Sequence, residues 1–426
     1  MTNEQRIIQM ICSCCFEISS TINMKMKYID NYFEFRTLVD QIFEEEYCTL
    51  PQWMELERSL EKDTVINEGR LALGNYSSPR QICNKIFFDS LITEDDLIYS
   101  QAKSAYNSFF GIIGAIQNQR VKHSICVRLY GIEIESDMVL SEDILLVSLS
   151  DMEIADRENV LHSFSEYFEN PKIHRTELEI GITIPINLNE ESSLPKTIFT
   201  AFDISEDLID DFIMSLYMLK SGEVLVGTKV IYGGLSNRLT KVRDLTRNML
   251  NTNIKLVLSD TIPLHGMFIL IKEARKSDNI LRRAFSRFVM ARARASLEDS
   301  LIDYVICLES ICLTENKSSI TSELAYRFSL NGSTLLWRSS LKLDRRKAVD
   351  LLKNIYEIRS KIVHGGSTDK INNTIAKTGF SDLISLNNYI DECIRHIIVW
   401  LVEMGTESRP YNFKGGWEEL MWNPPK

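Results

Sequence analysis

Two residues in the C-terminal third of the chain, Arg359 and His364, have types and spacing suited to acid–base chemistry at a phosphodiester. A histidine can move a proton at a 2′-hydroxyl or at a leaving oxygen, and an arginine can stabilise the charge of a phosphorane. The pair therefore indicates RNA cleavage that needs no metal ion. The alternative is structural: Arg359 pairs with a buried carboxylate such as Glu309, and His364 only caps a helix.

The residues around this pair predict an amphipathic helix. Projected at 100° per residue, four side chains fall within roughly 60° of one another: Leu352, Tyr356, Arg359 and Val363. Arg359 is thus predicted within the apolar stripe, where it needs a carboxylate, an interface or an anionic ligand. His364 follows at the helix end, before a Gly365-Gly366 pair typical of a C-cap, and the helix dipole favours positive charge there.

The wider region is also predicted to be helical. The 146 residues between Pro263 and Pro410 contain no proline, a residue that breaks helix interiors. Apolar residues recur there at three- and four-residue spacing in three stretches: Leu297–Cys312, Val349–Val363 and Leu383–Met404. We therefore predict a compact helical bundle over residues 237–408, with Gly405 as another helix C-cap.

Upstream of this bundle the pattern favours strands. Alternating or β-branched residues predict strands at Val121–Tyr130, Ile144–Leu149, Glu177–Ile186 and Gly222–Tyr232. Helices are predicted around Asp151–Tyr167 and Glu206–Lys220. The fold class is therefore α+β, with four predicted parts. These are a helical N-terminal region (1–110), a mixed α/β, β-rich sensor or regulatory domain (111–236), the bundle (237–408) and a C-terminal tail without regular structure (409–426).

Charge is distributed unevenly along the chain. The formal net charge of -11 argues against capture of nucleic acid by the whole surface. The segment 272–294 nevertheless holds eight basic residues against two acidic ones, and a second basic cluster spans 338–347. These clusters predict an RNA-binding rim of seven arginines: Arg282, Arg283, Arg287, Arg292, Arg294, Arg345 and Arg346. A solvated helix face is the alternative.

The Arg359–His364 spacing, the proline-free helical context and Arg327 resemble the HEPN superfamily. Further matching stretches are Ala295–Tyr304 and Cys307–Ile311, and the likeness is to its ApeA-like branch over about residues 270–405. The resemblance implies a helical bundle that forms homodimers and cleaves RNA, possible targets including tRNA, in anti-phage defence by abortive infection.

The resemblance also implies roles for individual residues. Arg359 and His364 would be catalytic, with Ser360, Glu309 and Tyr356 as supporting residues, and a phage-derived protein would be a trigger. Many active members have Asn, Asp or His directly after the arginine, whereas this chain has Ser360. A non-catalytic HEPN dimerisation or adaptor protein that binds a phage or host partner is therefore the alternative.

Other motifs add little chemistry. The sequence has no P-loop, dinucleotide-binding or zinc-protease signature, so we predict no cofactor and no metal. A second Arg-x4-His, Arg157 to His162, lies among acidic residues and is interpreted as structural. Apolar runs of about eight residues are too short to span a membrane, and the absence of a secretion signal predicts a cytoplasmic protein.

Overall fold

The computed structural model describes most of the chain. The described residues are 6–7, 9–11, 13–14, 41–68, 73, 78–91, 111–149, 176–191, 193–232, 238–240, 253–314, 324–412 and 416–422. The chain divides into two compact units. The first comprises 1–207, 224–246 and 255–258, and the second comprises 208–223, 247–254 and 259–426. The predicted boundaries at 110, 236 and 408 stay predictions.

The first unit begins with helices around an aromatic cluster. A π-helical turn, Phe43–Tyr47, precedes helices α1 (Pro51–Glu61), α2 (Thr64–Glu68) and α3 (Pro79–Leu91). α1 and α3 each begin with a proline, whose missing amide hydrogen costs nothing at a helix start. The rings of Phe43, Trp53 and Phe87 lie with centroids 5.3–5.7 Å apart.

A six-stranded antiparallel sheet follows in this unit, and four of its strands lie at the predicted positions. In chain order the strands are β1 (Arg120–Tyr130), β2 (Ile132–Ile134), β3 (Met138–Ser141), β4 (Ile144–Ser148), β5 (Thr176–Pro185), β6 (Leu225–Tyr232), β7 (Arg238–Thr240) and β8 (Ile254–Leu256). The sheet order is β3-β4-β5-β1-β6-β7, and β2 pairs separately with β8. The ring of Tyr130 packs closely against Gly227 of β6. A side chain at position 227 would clash with it, since a Cβ there would lie only 2.1 Å from the ring.

Helix α4 (Ser193–Leu219) begins in the first unit and ends in the second. The predicted helix at 206–220 therefore starts earlier than expected. Pro195 sits in the first turn, where a proline is tolerated. Thr197 of α4 contacts the buried His123 of β1, with the hydroxyl 2.8 Å from Nε2. The predicted helix at 151–167, with Arg157 and His162, lies outside the described residues.

The second unit is a bundle of helices, as predicted for this part of the chain. The helices after α4 are α5 (Thr261–Ser277), α6 (Asn279–Ala293), α7 (Leu297–Cys312), α8 (Leu324–Arg338), α9 (Arg345–Val363), α10 (Thr368–Lys377), α11 (Leu383–Glu403) and α12 (Gly416–Trp422). α7 contacts α6, α8, α9 and α11 and is the central helix. Its apolar side chains, such as Leu301, Val305 and Leu308, are buried.

Three details of the predicted bundle are wrong. Residues 238–240 and 254–256 are strands, because they pair with β6 and β2. The tail is not free of regular structure, since Gly416–Trp422 is helical and buries Trp417 and Leu420. Gly405 follows Met404, the C-cap residue of α11, but its φ of −60° lies outside the left-handed region of a glycine C-cap.

A buried ion pair fastens the tail to the bundle. The Asp278 carboxylate caps α6 by accepting from the Ile280 and Leu281 amides. It also accepts from Arg409 Nη1 at 2.7 Å and from the Tyr411 hydroxyl at 2.8 Å. The side chains of Asp278 and Arg409 are each 3% exposed. The tail thus supplies the counter-charge of a carboxylate that is buried at the start of α6.

We predict that Asp278→Asn destabilises the second unit by about 3–5 kcal/mol, because it leaves the Arg409 guanidinium buried without its counter-charge. Urea denaturation measures the loss. The matched control is Glu357→Gln, which breaks an exposed pair with Lys361 one turn along α9 and should cost about 0.5 kcal/mol or less. Equal losses for the two variants would contradict the prediction.

The first unit should lose stability in weak acid through His123. Burial lowers the pKa of His123 to about 4, below its ordinary value. As the pH falls, the unfolded chain therefore takes up this proton first, so the stabilisation is complete above about pH 6.5 and is lost toward pH 4.

Between about pH 7 and about pH 5, the wild-type chain should lose about 2 kcal/mol more unfolding free energy than His123→Gln, which cannot titrate. Urea denaturation at the two pH values checks this difference. Parallel pH dependence of the two proteins would rule out a buried neutral imidazole.

Candidate functional site

Helix α9 positions both residues of the predicted motif. Asp344 caps its N-terminus by accepting from the Lys347 amide at 3.0 Å. The fully buried side chains of α9 are Ala348, Leu352, Ile355 and Ile358. Because the buried face is centred on these residues, Arg359 lies at its edge and is partly buried, rather than in its middle. The predicted stripe leaves the core at Val363, which is 49% exposed.

The end of α9 is a complete Schellman motif, as the glycine pair predicts. The Gly366 amide donates to Lys361 O at 2.7 Å, and the Gly365 amide donates to Ile362 O at 3.2 Å. Gly365 has a φ of +69°, which a side chain would disfavour. His364 is the C-cap residue of this motif, and its side chain is exposed at the negative end of the helix dipole.

Helix α10 braces this end of α9. Lys361 Nζ donates to Glu357 Oε1 at 2.6 Å and to the Thr374 hydroxyl of α10 at 2.5 Å. Lys361 therefore has a structural role between the two motif residues. Ser360, predicted as a supporting residue, is partly buried, and its carbonyl accepts from the His364 amide at 3.1 Å.

Three helices bring a carboxylate, a phenol and the guanidinium together. Glu309 of α7 lies near Tyr356 and Arg359 of α9, and Phe328 of α8 packs on Tyr356 with ring centroids 5.3 Å apart. Burial raises the pKa of Glu309, while the charge of Arg359 and a hydrogen bond from Tyr356 oppose that rise. Burial and the charge of Glu309 likewise raise the pKa of Tyr356.

The guanidinium of Arg359 lies near this carboxylate but forms no hydrogen bond with it. Its Nε is buried and has no hydrogen-bond partner, and Arg359 donates no hydrogen bond to any residue that the structure describes. The buried Nε is out of reach of solvent, so an anionic oxygen would bind the terminal N–H groups, which donate no hydrogen bond to a described residue. The structure thus brings Arg359 together with Glu309 and Tyr356.

His364 points in a different direction from Arg359. Five residues along a helix correspond to about 140° of rotation and about 7.5 Å of rise. His364 is exposed beyond the last turn, whereas Arg359 lies against α7. A phosphodiester that contacts both groups must therefore lie across the end of α9, where the exposed Val363 stands between them.

Most of the predicted basic rim has other partners. Arg287 and Arg294 both bind the buried Asp303 of α7, at 2.9 and 2.6 Å. Arg292 is not on a rim at all, because it is buried against Asp391 of α11 at 2.5 Å.

Of the other four rim arginines, one has a main-chain partner and three are exposed. Arg345 donates to the Met421 carbonyl at 2.8 Å. Arg282, Arg283 and Arg346 are exposed and form no ion pair with a described residue. The rim of seven arginines therefore reduces to these three.

One group of functional interest combines a predicted rim residue, Arg345, with two residues that were not predicted as site residues, Trp337 and Arg338. The guanidinium carbons of Arg338 and Arg345 lie 5.5 and 5.3 Å from the ring centroid of Trp337. The Trp337-Arg338 pair beside a basic run is the available signal in the sequence. The sequence does not show that the connection between α8 and α9 brings Arg345 back to the same indole.

No protein-family model, curated protein or solved structure matches the chain. Among the described helices, none is both long and apolar enough to cross a membrane. Within the described ranges, no three His, Cys, Asp or Glu side chains converge to form a group that could hold a metal ion. The candidate site is therefore defined by its own geometry.

The electrostatic coupling within the site can be tested directly. Arg359→Met removes a charge that lowers the pKa of Glu309, so the pKa of Glu309 should rise further above its ordinary value. Arg359→Lys retains the charge and should shift it less. NMR titration of labelled glutamate carboxyl carbons measures this pKa. Arg346→Met, at an exposed position of the same helix, is the matched control, and an equal effect from it would contradict the coupling.

Proposed function

We propose that this chain is a HEPN-type, metal-independent endoribonuclease whose chemistry is carried by Arg359 and His364. The observation that supports the proposal most is the state of Arg359. Its guanidinium is partly buried beside Glu309 with a buried, unpartnered Nε, while a titratable histidine stands exposed at the end of the same helix. Phosphodiester cleavage requires a cation that stabilises the phosphorane and a group that moves protons, and these two residues supply one of each.

In this proposal His364 handles protons and Arg359 handles charge. His364 takes the proton from a ribose 2′-hydroxyl, whose oxygen attacks the phosphorus, or donates a proton to the departing 5′-oxygen. Arg359 stabilises the additional negative charge on the phosphorane through its free N–H groups. Glu309 is a positioning residue, because its charge attracts the guanidinium, and Tyr356 supports Glu309 through a hydrogen bond to its carboxylate.

Two copies of the chain provide the simplest complete site. Arg359 and His364 of one chain face directions about 140° apart. A homodimer that places two α9 ends side by side would supply an arginine and a histidine to each phosphodiester. This is the arrangement that the HEPN resemblance implies. We extend the proposal to its biological setting: cleavage of RNA, such as tRNA, in anti-phage defence by abortive infection, with a phage-derived protein as trigger.

The nuclease proposal predicts that His364→Ala lowers the rate of RNA cleavage by about 10²–10⁴-fold, because it removes general acid–base catalysis. Arg359→Ala should be similarly impaired, and Arg359→Lys less so, since lysine retains the charge but not the planar fork. The assay incubates each purified protein with total RNA in the presence of EDTA.

His265→Ala is the matched control, since it removes a partly buried histidine of α5 that is distant in sequence from the motif. It should cleave at the wild-type rate. Cleavage by His364→Ala at the wild-type rate, or intact RNA after incubation with the wild-type protein, would refute the nuclease proposal.

A second function is favoured by the same carboxylate. Glu309 already offsets the charge of Arg359, and Ser360 departs from the residues usual after the motif arginine. These features fit a non-catalytic HEPN adaptor that dimerises and binds a phage or host protein. Phage challenge of cells that express wild-type or His364→Ala protein at equal levels separates the two functions. Protection that survives the substitution supports the adaptor, and its loss supports the enzyme.

A further inference from the structure

A second cationic group lies at the opposite end of α9 from the candidate site. Arg338, the last residue of α8, and Arg345, the first residue of α9, hold their guanidiniums beside the partly buried Trp337. Burial and the neighbouring charge of Arg345 both lower the pKa of Arg338. Two cations are therefore held close together next to an aromatic surface.

These guanidiniums bind the end of the C-terminal helix. Arg338 donates from Nε and Nη2 to the Leu420 carbonyl, at 3.0 and 2.7 Å. Arg345 donates from Nη1 to the Met421 carbonyl at 2.8 Å. The carbonyls of a last helical turn have no partner within the helix and carry partial negative charge. The end of α12 therefore offers the two arginines only partial negative charges. A group with a full negative charge in the same position would bind them more strongly.

The α12 helix is short and lightly anchored. Of its seven residues, Trp417 and Leu420 are the buried ones, while Trp422 is 81% exposed. Close to the arginine pair, Arg346 and Lys347 are exposed and add positive charge around it. A polyanion approaching this end of the bundle is attracted by these cations and repelled by the exposed Glu418 and Glu419 of α12, and displacement of α12 would relieve that repulsion.

We propose that Arg338 and Arg345 form a binding site for an RNA backbone phosphate, and that α12 covers this site and must move for RNA to bind there. The inference rests on RNA being the substrate, as in the proposed function. A phosphate offers several oxygens and a full charge to two guanidinium forks, which two carbonyl oxygens do not. Trp337 provides an aromatic face against which a neighbouring base stacks.

The site is remote from the chemistry. Arg345 and Arg359 are separated by 14 residues of one helix, or about 20 Å along its axis. The arginine pair therefore holds the RNA strand without touching the cleaved bond. Its loss should weaken binding and raise KM, and leave kcat near the wild-type value.

The test measures the affinity for a fluorescein-labelled single-stranded RNA of mixed sequence, by anisotropy, in a His364→Ala background that prevents turnover. Trp417→Ala/Leu420→Ala removes the two buried anchors of α12 and should tighten binding about tenfold. It should also steepen the salt dependence of log K by about 0.7 for each additional phosphate that the protein neutralises. Adding Arg338→Ala/Arg345→Ala should abolish both effects.

Arg58→Ala/Lys62→Ala is the matched control in the released protein, because it removes the same charge from an exposed face at the end of α1 that belongs to no proposed RNA-binding site. Most of the tenfold increase in affinity should survive it. A loss of affinity equal to that of the Arg338/Arg345 variant would overturn the specific site. An RNA affinity that the α12 substitutions leave unchanged would also overturn the proposal, because α12 would then have only a structural role.

Hydrogen exchange of the chain with α12 intact decides the question if the released variant fails to fold. RNA should accelerate exchange of the amides of residues 417–422 in the His364→Ala protein, and unchanged or slower exchange would overturn the proposal. Cleavage by the protein that retains His364 is measured separately. If substitutions in α12 and in the arginine pair leave RNA cleavage unchanged, this inference fails and the nuclease proposal stands. RNA binding controlled by α12 without cleavage supports it while the nuclease proposal fails.

Discussion

The helical unit depends on one constraint, which is that a charge removed from water must meet a counter-charge. A buried ion without a counter-charge costs several kcal/mol, which is a large part of the total free energy of unfolding of a typical domain. Asp278, Asp303 and Asp391 are all buried in this unit, and each is bound by at least one arginine. These pairs join α6 to the tail, to α7 and to α11. They explain why three arginines of a run that looks like a nucleic-acid surface are paired with buried carboxylates, namely Arg287, Arg292 and Arg294.

Two arginine sites in the unit are where function is proposed. Arg359 faces Glu309, a carboxylate whose pKa is raised by burial, and the Arg359 Nε has no acceptor. Arg338 and Arg345 donate to main-chain carbonyls of α12, which carry only partial negative charge. The two sites lie at opposite ends of α9. Under both proposals, the length of α9 would therefore set how long an RNA must be to contact both.

Local signals in the sequence predict many of the elements and some of their ends. The strands β1, β4, β5 and β6 follow the alternating or β-branched runs within a few residues, and the apolar spacing locates α7, α9 and α11. Gly365 ends α9 because only a residue without a side chain adopts its φ at low cost. These features depend on residues a few positions apart, which a single sequence contains in full. The helical start of α4 and the helix at Gly416–Trp422 were missed, because prolines or glycines there resemble breaks.

Residue patterns along the chain are enough to predict an α+β fold with a helical C-terminal unit, with Arg359 near the core face and His364 at the end of the same helix. Which charges are available depends on contacts between residues far apart in the sequence. Arg292 and Asp391 are 99 residues apart in sequence, and Arg338 and Leu420 are 82 apart. No local spacing reports such pairs. Partnership between charges is set by the packing of α6, α8 and α9 against distant segments, since electrostatic stabilisation depends on distance in space and on burial.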